Sequence, residues 1–470
     1  MKRTPRLFKT YASENIKDSR LRQTYRMATS NALEHRLEAI QDVPEWEDLR
    51  ERAHRIKEEV INRLDYYLEQ LERKVIANGG KVFWARDGKE ASDYVLQVAH
   101  RIRAKTVVKS KSMTTEEIGL SQTLEEDGLE AVETDLGEYI IQLAKEMPSH
   151  ITAPALHMTR QQIGELFQKK LGIGYTEVPE ELCAFARKRL RQKFMAAELG
   201  ISGVNFALAD TGTVVIVENE GNARLSTTMP RVHIAVMGLE KVIPRFADLP
   251  VFLKLLPRSS TGQKQTSYVS FISSPRKPGE LDGPEEFHLV LLDNGRSEIL
   301  ADPKMRESLF CIRCGACLNT CPIYQRVGGH SYGSVYSGPI GAVITPLFQG
   351  LNVAHDLPFA SSLCGSCSNI CPVKIDIHHQ LLWLRQNAVQ SGETPWQERL
   401  SMKLYLLGMK DDTLYRYGSR LLRGVLMLSG RLDQPLKIGG WSETRDLPAL
   451  APKTFKQLWR EMERDERLSN

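Results

Sequence analysis

Apolar positions first recur at helical spacing and then, from about residue 80, alternate between short extended runs and longer helical stretches. Ile56, Val60, Leu64, Leu68, Leu71 and Val75 fall on one helical stripe that ends at Asn78-Gly79-Gly80, a glycine stop of the usual kind. Residues 31–40 form an earlier helix-like stretch within a segment, residues 1–50, that is otherwise polar and charged. Lys81-Val82-Phe83-Trp84-Ala85 reads as a strand, residues 90–102 as a helix and Thr106-Val107-Val108-Lys109 as a second strand. Thr114-Thr115-Glu116-Glu117 opens another helix, with Thr114 and Glu117 as a capping box. Apolar runs follow at residues 214–217, 232–237, 268–272 and 288–292. Turn-rich stretches lie between them, among them Arg258-Ser259-Ser260-Thr261-Gly262 and residues 273–279. Strand and helix units at this spacing predict an α/β domain over residues 51–300, built on a mostly parallel sheet. A boundary is expected near Asp302-Pro303. Residues 301–395 then form a second, all-α domain, and residues 396–470 a helical and extended tail. Helices are expected over residues 377–389 and 396–407, and an extended path over about the last 40 residues.

Composition changes this picture little. The 470 residues carry 63 basic and 58 acidic side chains; a net charge of +5 without a dominant basic block argues against nucleic acid as partner. The N-terminus lacks the apolar core of a signal peptide, and no apolar run approaches the ~18 residues of a spanning helix. The best candidate, residues 421–428, is interrupted by Arg423 and Gly424. The expectation is a cytoplasmic protein whose membrane contact, if any, is peripheral.

Cysteine usage changes it decisively. Seven of the eight cysteines lie between Cys311 and Cys371, and tight clustering in a reducing compartment points to metal, not disulfides. The first run, Cys311, Cys314, Cys317 and Cys321-Pro322, has the spacing C-x2-C-x2-C-x3-C-P of bacterial-ferredoxin cluster ligands. The second, Cys364, Cys367 and Cys371-Pro372, repeats its latter part, with Ser361 where a first cysteine would stand. If ligands cross over as in two-cluster ferredoxins, one 4Fe-4S cluster takes Cys311, Cys314, Cys317 and Cys371. The other takes Cys321, Cys364 and Cys367, and is either a 3Fe-4S cluster or one whose fourth ligand is not a cysteine: Ser361, His378, a water or a partner protein. Zinc knuckles fit poorly, because zinc favours closed tetrahedral sets from separated CxxC pairs. The 42 residues from 322 to 363 that separate the runs suit a helical insertion, with an ordered Gly- and Pro-rich loop whose amides face a cluster.

With these motifs in place the chain resembles the iron–sulfur B subunit of the lactate-utilization system. The resemblance rests on residues 209–215 and 220–226, on both cysteine runs, on residues 329–343 and on Val373-Lys374-Ile375-Asp376-Ile377. It covers nearly the whole chain. It implies an N-terminal fold like that of sugar-phosphate isomerases and CoA transferases, followed by a helical ferredoxin-like domain. It also implies a part in oxidising L-lactate to pyruvate as an iron–sulfur electron carrier, alongside A and C type subunits and an electron acceptor that the sequence does not name. A second cluster short of one cysteine is, by the same resemblance, a family trait.

Beyond the cysteines, Lys109-Ser110-Lys111-Ser112 joins a strand end to a helix start, a setting that can hold a carboxylate or phosphate. Solvated loop lysines are the equal alternative. Arg224 could clamp the same anion, with Asp210-Thr211-Gly212 and Glu220-Gly221-Asn222 nearby, although turn residues of a hairpin are the favoured reading there. His330, His378 and His379 are expected to satisfy local hydrogen bonds, and Cys183 to fill a helix core. No G-x-G-x-x-G and no flavin motif is present, so hydride chemistry falls to a partner. The rival function is an isomerase- or transferase-like enzyme in which the clusters are structural or regulatory.

Overall fold

The apolar runs at residues 232–237 and 288–292 become strands covered on both faces, as parallel strands require. In a computed structural model, residues 4–428, 451 and 453–469 are described, in two units, Met1–Glu393 and Thr394–Asn470. The first contains strands β1 (Lys81–Ala85), β2 (Thr106–Lys109), β3 (Glu130–Glu133), β4 (Leu199–Gly203), β5 (Phe206–Leu208), β6 (Thr213–Glu218), β7 (Val232–Gly238), β8 (Val242–Ile243), β9 (Tyr268–Ile272) and β10 (Glu286–Leu292). Six of them form a parallel sheet in the order β1-β10-β7-β4-β2-β3. β7 lies near its centre and is buried at every position. The remaining four form a smaller mixed sheet, β8-β5-β6-β9. The chain leaves β2 toward β3 on one side while β4 lies on the other, so a crevice opens beyond the carboxyl ends of β2 and β4.

Several sequence expectations are corrected here. The stripe from Ile56 to Val75 is buried throughout, but it spans two helices, Trp46–Asn62 and Leu64–Ala77, broken at Arg63. The break leaves the Arg63 guanidinium stacked on Tyr66, 4.6 Å from the ring centre. The helix after β2 is capped by Ser112, whose hydroxyl accepts from the Thr115 amide at 3.2 Å, and not by Thr114. Glu117 is drawn instead into an ion pair with Arg296. Arg258, Ser259 and Ser260 are no turn but the end of helix Leu249–Ser260. The buried Arg258 guanidinium fastens that helix by donating to the carbonyls of Ala39 and Lys264.

Residues 1–50 do not stand apart. Helices Phe8–Lys17 and Ser19–Gln41 pack onto the segment between the cysteine runs. Tyr25 meets Tyr324 edge-on at 5.5 Å, Phe8 meets Tyr332 at 5.2 Å, and Asn15 donates to the Val327 carbonyl. From Arg296 to Gln390 the described structure is helical, as expected, and one apolar core runs from the α/β layer through the cysteine region without a break at residue 302. The second unit holds helices Trp396–Lys410, Asp412–Leu428 and Phe455–Ser469. The last of these lies in the tail expected to be helical and partly extended; residues 429–450 lie outside the described residues. Among the described residues, no helix is long and apolar enough to cross a membrane.

Candidate iron–sulfur centre and adjoining pocket

The two cysteine runs fold as local copies of each other. Gly315 and Gly365 both take left-handed backbone, φ +75° and +76°, a conformation that glycine adopts without steric cost. Each starts a short helix, Ala316–Thr320 or Ser366–Ile370. Each helix carries one cysteine (Cys317, Cys367), and a Cys-Pro follows it. The copy extends upstream: Arg313 and Leu363, one residue before Cys314 and Cys364, are both left-handed at φ +59° and +55°. The Arg313 amide donates to Cys311 Sγ at 3.4 Å, and the Leu363 amide donates to Ser361 Oγ at 3.1 Å. Ser361 thus occupies the place in the second copy that Cys311 occupies in the first. The two copies touch at their helices, where the Thr320 and Ser366 hydroxyls are 2.6 Å apart.

Cys311, Cys314, Cys317 and Cys371 line one small cavity, walled by Ile151, Ile312, Ile340, Val373, Ile375 and Ile377. Cys371 comes from the second run, so the first run's closing partner is supplied across the copy. Cys321 instead interacts with Cys364 and Cys367. Buried thiols resist ionisation in an apolar setting: burial, with Cys321 nearby, pushes Cys367 up to about 11, and burial pushes Cys371 up to about 12. Backbone amides of Ala316, Ile340, Val373 and Ile375 offset this by donating to Cys314, Cys317 and Cys371. The Ile340 amide belongs to the segment between the runs that was expected to face a cluster. Arg50 closes the first site from outside. Its buried guanidinium donates to the Cys371 carbonyl through Nε and Nη2, at 3.0 and 2.8 Å, and to the Asn369 carbonyl. Tyr332 is fully buried with a hydroxyl that has no partner, and it feels Cys321, Cys317 and Cys367. A sulfur-rich cationic core fits this donor set: it compensates the thiolates and offers an acceptor to the orphaned phenol. Cys364 differs. It is exposed, and the Ser366 amide and Ser362 hydroxyl hold its thiol below the ordinary range.

The crevice beyond β2 and β4 is a second, larger pocket that shares a wall with the first. Ile151 and Arg313 line both cavities. The pocket is cationic where Lys241 and Arg313 enter and acidic where Asp135, Glu218 and Glu220 enter, with Lys111 close to the acidic end. Burial, reinforced by Asp135, pushes Glu220 up to about 7. Glu240 braces the cationic side. Burial opposes its ionisation, but Arg296, Lys241 and Arg313 outweigh that and hold the carboxyl below the usual range. Arg296 pairs with both Glu240 and Glu117, at 2.6 and 2.9 Å, and the Tyr336 hydroxyl donates to Glu117. Arg313 in turn stacks on Tyr336, 4.5 Å from its ring centre.

The residues expected to bind an anion separate. Lys109 is fully buried and bound to Glu116 and Glu133 at 2.9 and 3.0 Å, so it faces carboxylates and not the pocket. Arg224 is exposed and does not line the pocket. Lys111 does line it, and donates to the Thr152 carbonyl. Asp210-Thr211-Gly212 forms the turn between antiparallel β5 and β6, and Glu218 caps the next helix by accepting from Ala223 and Arg224 amides. His330 bonds the Met147 carbonyl, His378 the Ser368 hydroxyl and His379 Asp376. Cys183 is only partly buried, because its helix, Pro179–Ala196, lies on the surface of the sheet. Lys241, Arg313, Arg50 and Tyr332 escaped the sequence reading. Only Arg313, inside the first run, carried a local signal.

Comparison with known proteins agrees with this layout. Residues 68–292 match the model of the LUD domain, residues 307–375 that of a 4Fe-4S dicluster domain, and residues 385–464 that of the C-terminal region of lactate utilisation protein B. Lactate utilization protein B of Bacillus licheniformis is 47% identical over 466 residues, 98% of this chain and 97% of the relative. The protein of the same name from Bacillus subtilis is 46% identical over 98% of this chain and 97% of its own length.

Proposed function

Because the chain belongs to the lactate utilization protein B family, we propose that it is the iron–sulfur electron carrier of an L-lactate-oxidising system, passing electrons from a dehydrogenating partner to an acceptor. Cys311, Cys314, Cys317 and Cys371 hold one 4Fe-4S cluster. Cys321, Cys364 and Cys367 hold a second, with Ser361 in the place of a fourth cysteine. When bound, these clusters supply one-electron uptake and release. The protein's own part is to exclude water from the first site, to orient its thiolates with backbone amides, and to leave the second site open at Cys364. The observation that carries this reading is the crossover: Cys371 lines the cavity of the first run, the arrangement of two-cluster ferredoxins. Subunits of A and C type are the proposed partners, and a reducing cytoplasm suits seven clustered thiols.

Replacing Cys314 by Ser tests it. In the reconstituted system, L-lactate-dependent electron flow should fall by at least about 100-fold, while the far-ultraviolet circular dichroism of the α/β layer is unchanged. Full turnover by a folded C314S protein would refute the carrier role and favour catalysis within the α/β layer.

A further inference from the structure

We propose that the crevice beyond β2 and β4 binds a small organic monocarboxylate on Lys241, Arg313, Ser110 and Lys111, and that its occupancy is linked to the redox state of the adjoining iron–sulfur site. The linkage rests on the electron-carrier reading; the binding does not.

Three buried polar groups converge on this pocket with hydrogen-bonding capacity left unused among the described residues. Lys241 is 8% exposed, lines the cavity, and donates no hydrogen bond and joins no close ion pair among the described residues. Arg313 has a side chain 10% exposed, pairs with Glu240 through Nη2 at 3.5 Å, and keeps an Nη1 with no hydrogen-bond partner among the described residues. Ser110, 1% exposed, has an unpartnered hydroxyl. Unsatisfied buried donors are costly, and two of them beside a lysine that donates no hydrogen bond, in one polar crevice at a topological switch point, mark a ligand's place. The acidic lining sets the ligand class. Asp135, Glu218 and Glu220 repel a dianion such as phosphate, but accept a hydrogen bond from a hydroxyl carried beside a single carboxylate. Guanidinium and ammonium together suit that carboxylate.

The linkage follows from the shared wall. Arg313 and Ile151 face both cavities, and Arg313 lies in sequence between Cys311 and Cys314 of the first run. An anion seated on these cations opposes an added electron on the neighbouring thiolate site. By reciprocity, reduction weakens the anion's binding.

The experiment is calorimetry on the full chain, purified without oxygen and loaded with iron and sulfide, titrated with L-lactate, pyruvate, acetate and inorganic phosphate. The expected result is carboxylate binding below about 10 mM, weaker phosphate binding, and about tenfold weaker carboxylate binding in each of Lys241→Met and Lys111→Gln with unchanged iron content. Two variants from separate segments guard against a local folding defect. Dithionite-reduced protein should bind about tenfold more weakly than oxidised protein, equivalent to a fall of about 59 mV in a one-electron midpoint potential. No carboxylate binding, unchanged affinity in both variants, or a preference for phosphate overturns the site. Equal affinity in the two redox states overturns the linkage. A chain that binds carboxylate as described but whose iron is not reduced by its partner defeats the carrier reading and leaves the pocket standing.

Discussion

At the scale of single residues, Ser361 is the most informative position. Its hydroxyl accepts the Leu363 amide just as Cys311 Sγ accepts that of Arg313, and both donors hold left-handed backbone. A backbone that holds a thiol in one copy can hold one in the other, so Ser361→Cys should place a cysteine in the second set with little rearrangement. A weakly basic hydroxyl leaves the fourth iron labile, whereas thiolate binds it firmly. Mild oxidation of the native protein is therefore expected to yield the EPR signal of a three-iron cluster, and the S361C protein should give about tenfold less of it under the same treatment. Equal signal intensity in the two proteins would place the missing ligand elsewhere. Sequence alone showed that Ser361 stands in line with a cysteine. It could not show that the backbone around it repeats, because left-handed Arg313 and Leu363 leave no mark in residue type. Lys109 teaches the converse. Its motif was visible, but its partners Glu116 and Glu133 come from other elements and decide that it is buried within an ion-pair cluster and not offered to a ligand.

At the scale of elements, legibility follows burial. β7 and β10 are buried along nearly their whole length, so they read as continuous apolar runs. β3, β4, β5 and β8 did not: β3, β5 and β8 are only two to four residues long, and Gly200, Ser202 and Gly203 interrupt the apolar pattern of β4. The helix break at Arg63 was invisible because the apolar stripe continues through it. The cysteine runs were legible because the thiols within each run lie close in sequence. The Glu240, Arg296 and Glu117 web was not, being assembled from three distant segments. The central sheet also carries a titratable group. His233 in β7 is fully buried, pairs through Nε2 with the Ser202 hydroxyl of β4 at 2.8 Å, and stacks on Phe287 of β10. Burial, with His288 adding to it, holds its imidazole down at about 3. The folded value lies below the unfolded one of about 6.5, so neutral His233 contributes its full stability above that pH and loses it as pH falls toward the folded value. Between these limits the loss is about 1.4 kcal/mol per pH unit. Urea unfolding at pH 7.5, 6.5 and 5.5 should show the native chain weakening faster than His233→Gln by about that slope below pH 6.5. Parallel slopes would mean the imidazole is not held neutral.

At the scale of the whole molecule, the chemistry and the apolar surface divide between the two units. Every cysteine and both cavities fall within Met1–Glu393, where one of three apolar clusters reaches from the sheet to the thiols. Thr394–Asn470 contributes no thiol, yet its helices expose Leu404, Leu407, Leu421, Trp459 and many other large apolar side chains. Exposed apolar area on that scale marks a surface for association. A chain ending at Glu393 should accordingly keep its iron and acid-labile sulfide per molecule, its EPR spectra and its far-ultraviolet dichroism. In the reconstituted system it should lose L-lactate-dependent electron flow by about tenfold or more, because a carrier that no longer docks meets its partners only by free diffusion. Raising the concentration of the shortened chain should restore part of that flow, a rescue that a defect in the thiol sites would not allow. If the shortened chain instead comes without iron, the C-terminal helices are part of the cluster fold. If it keeps full flow at the native concentration, docking belongs to the surface around the exposed Cys364.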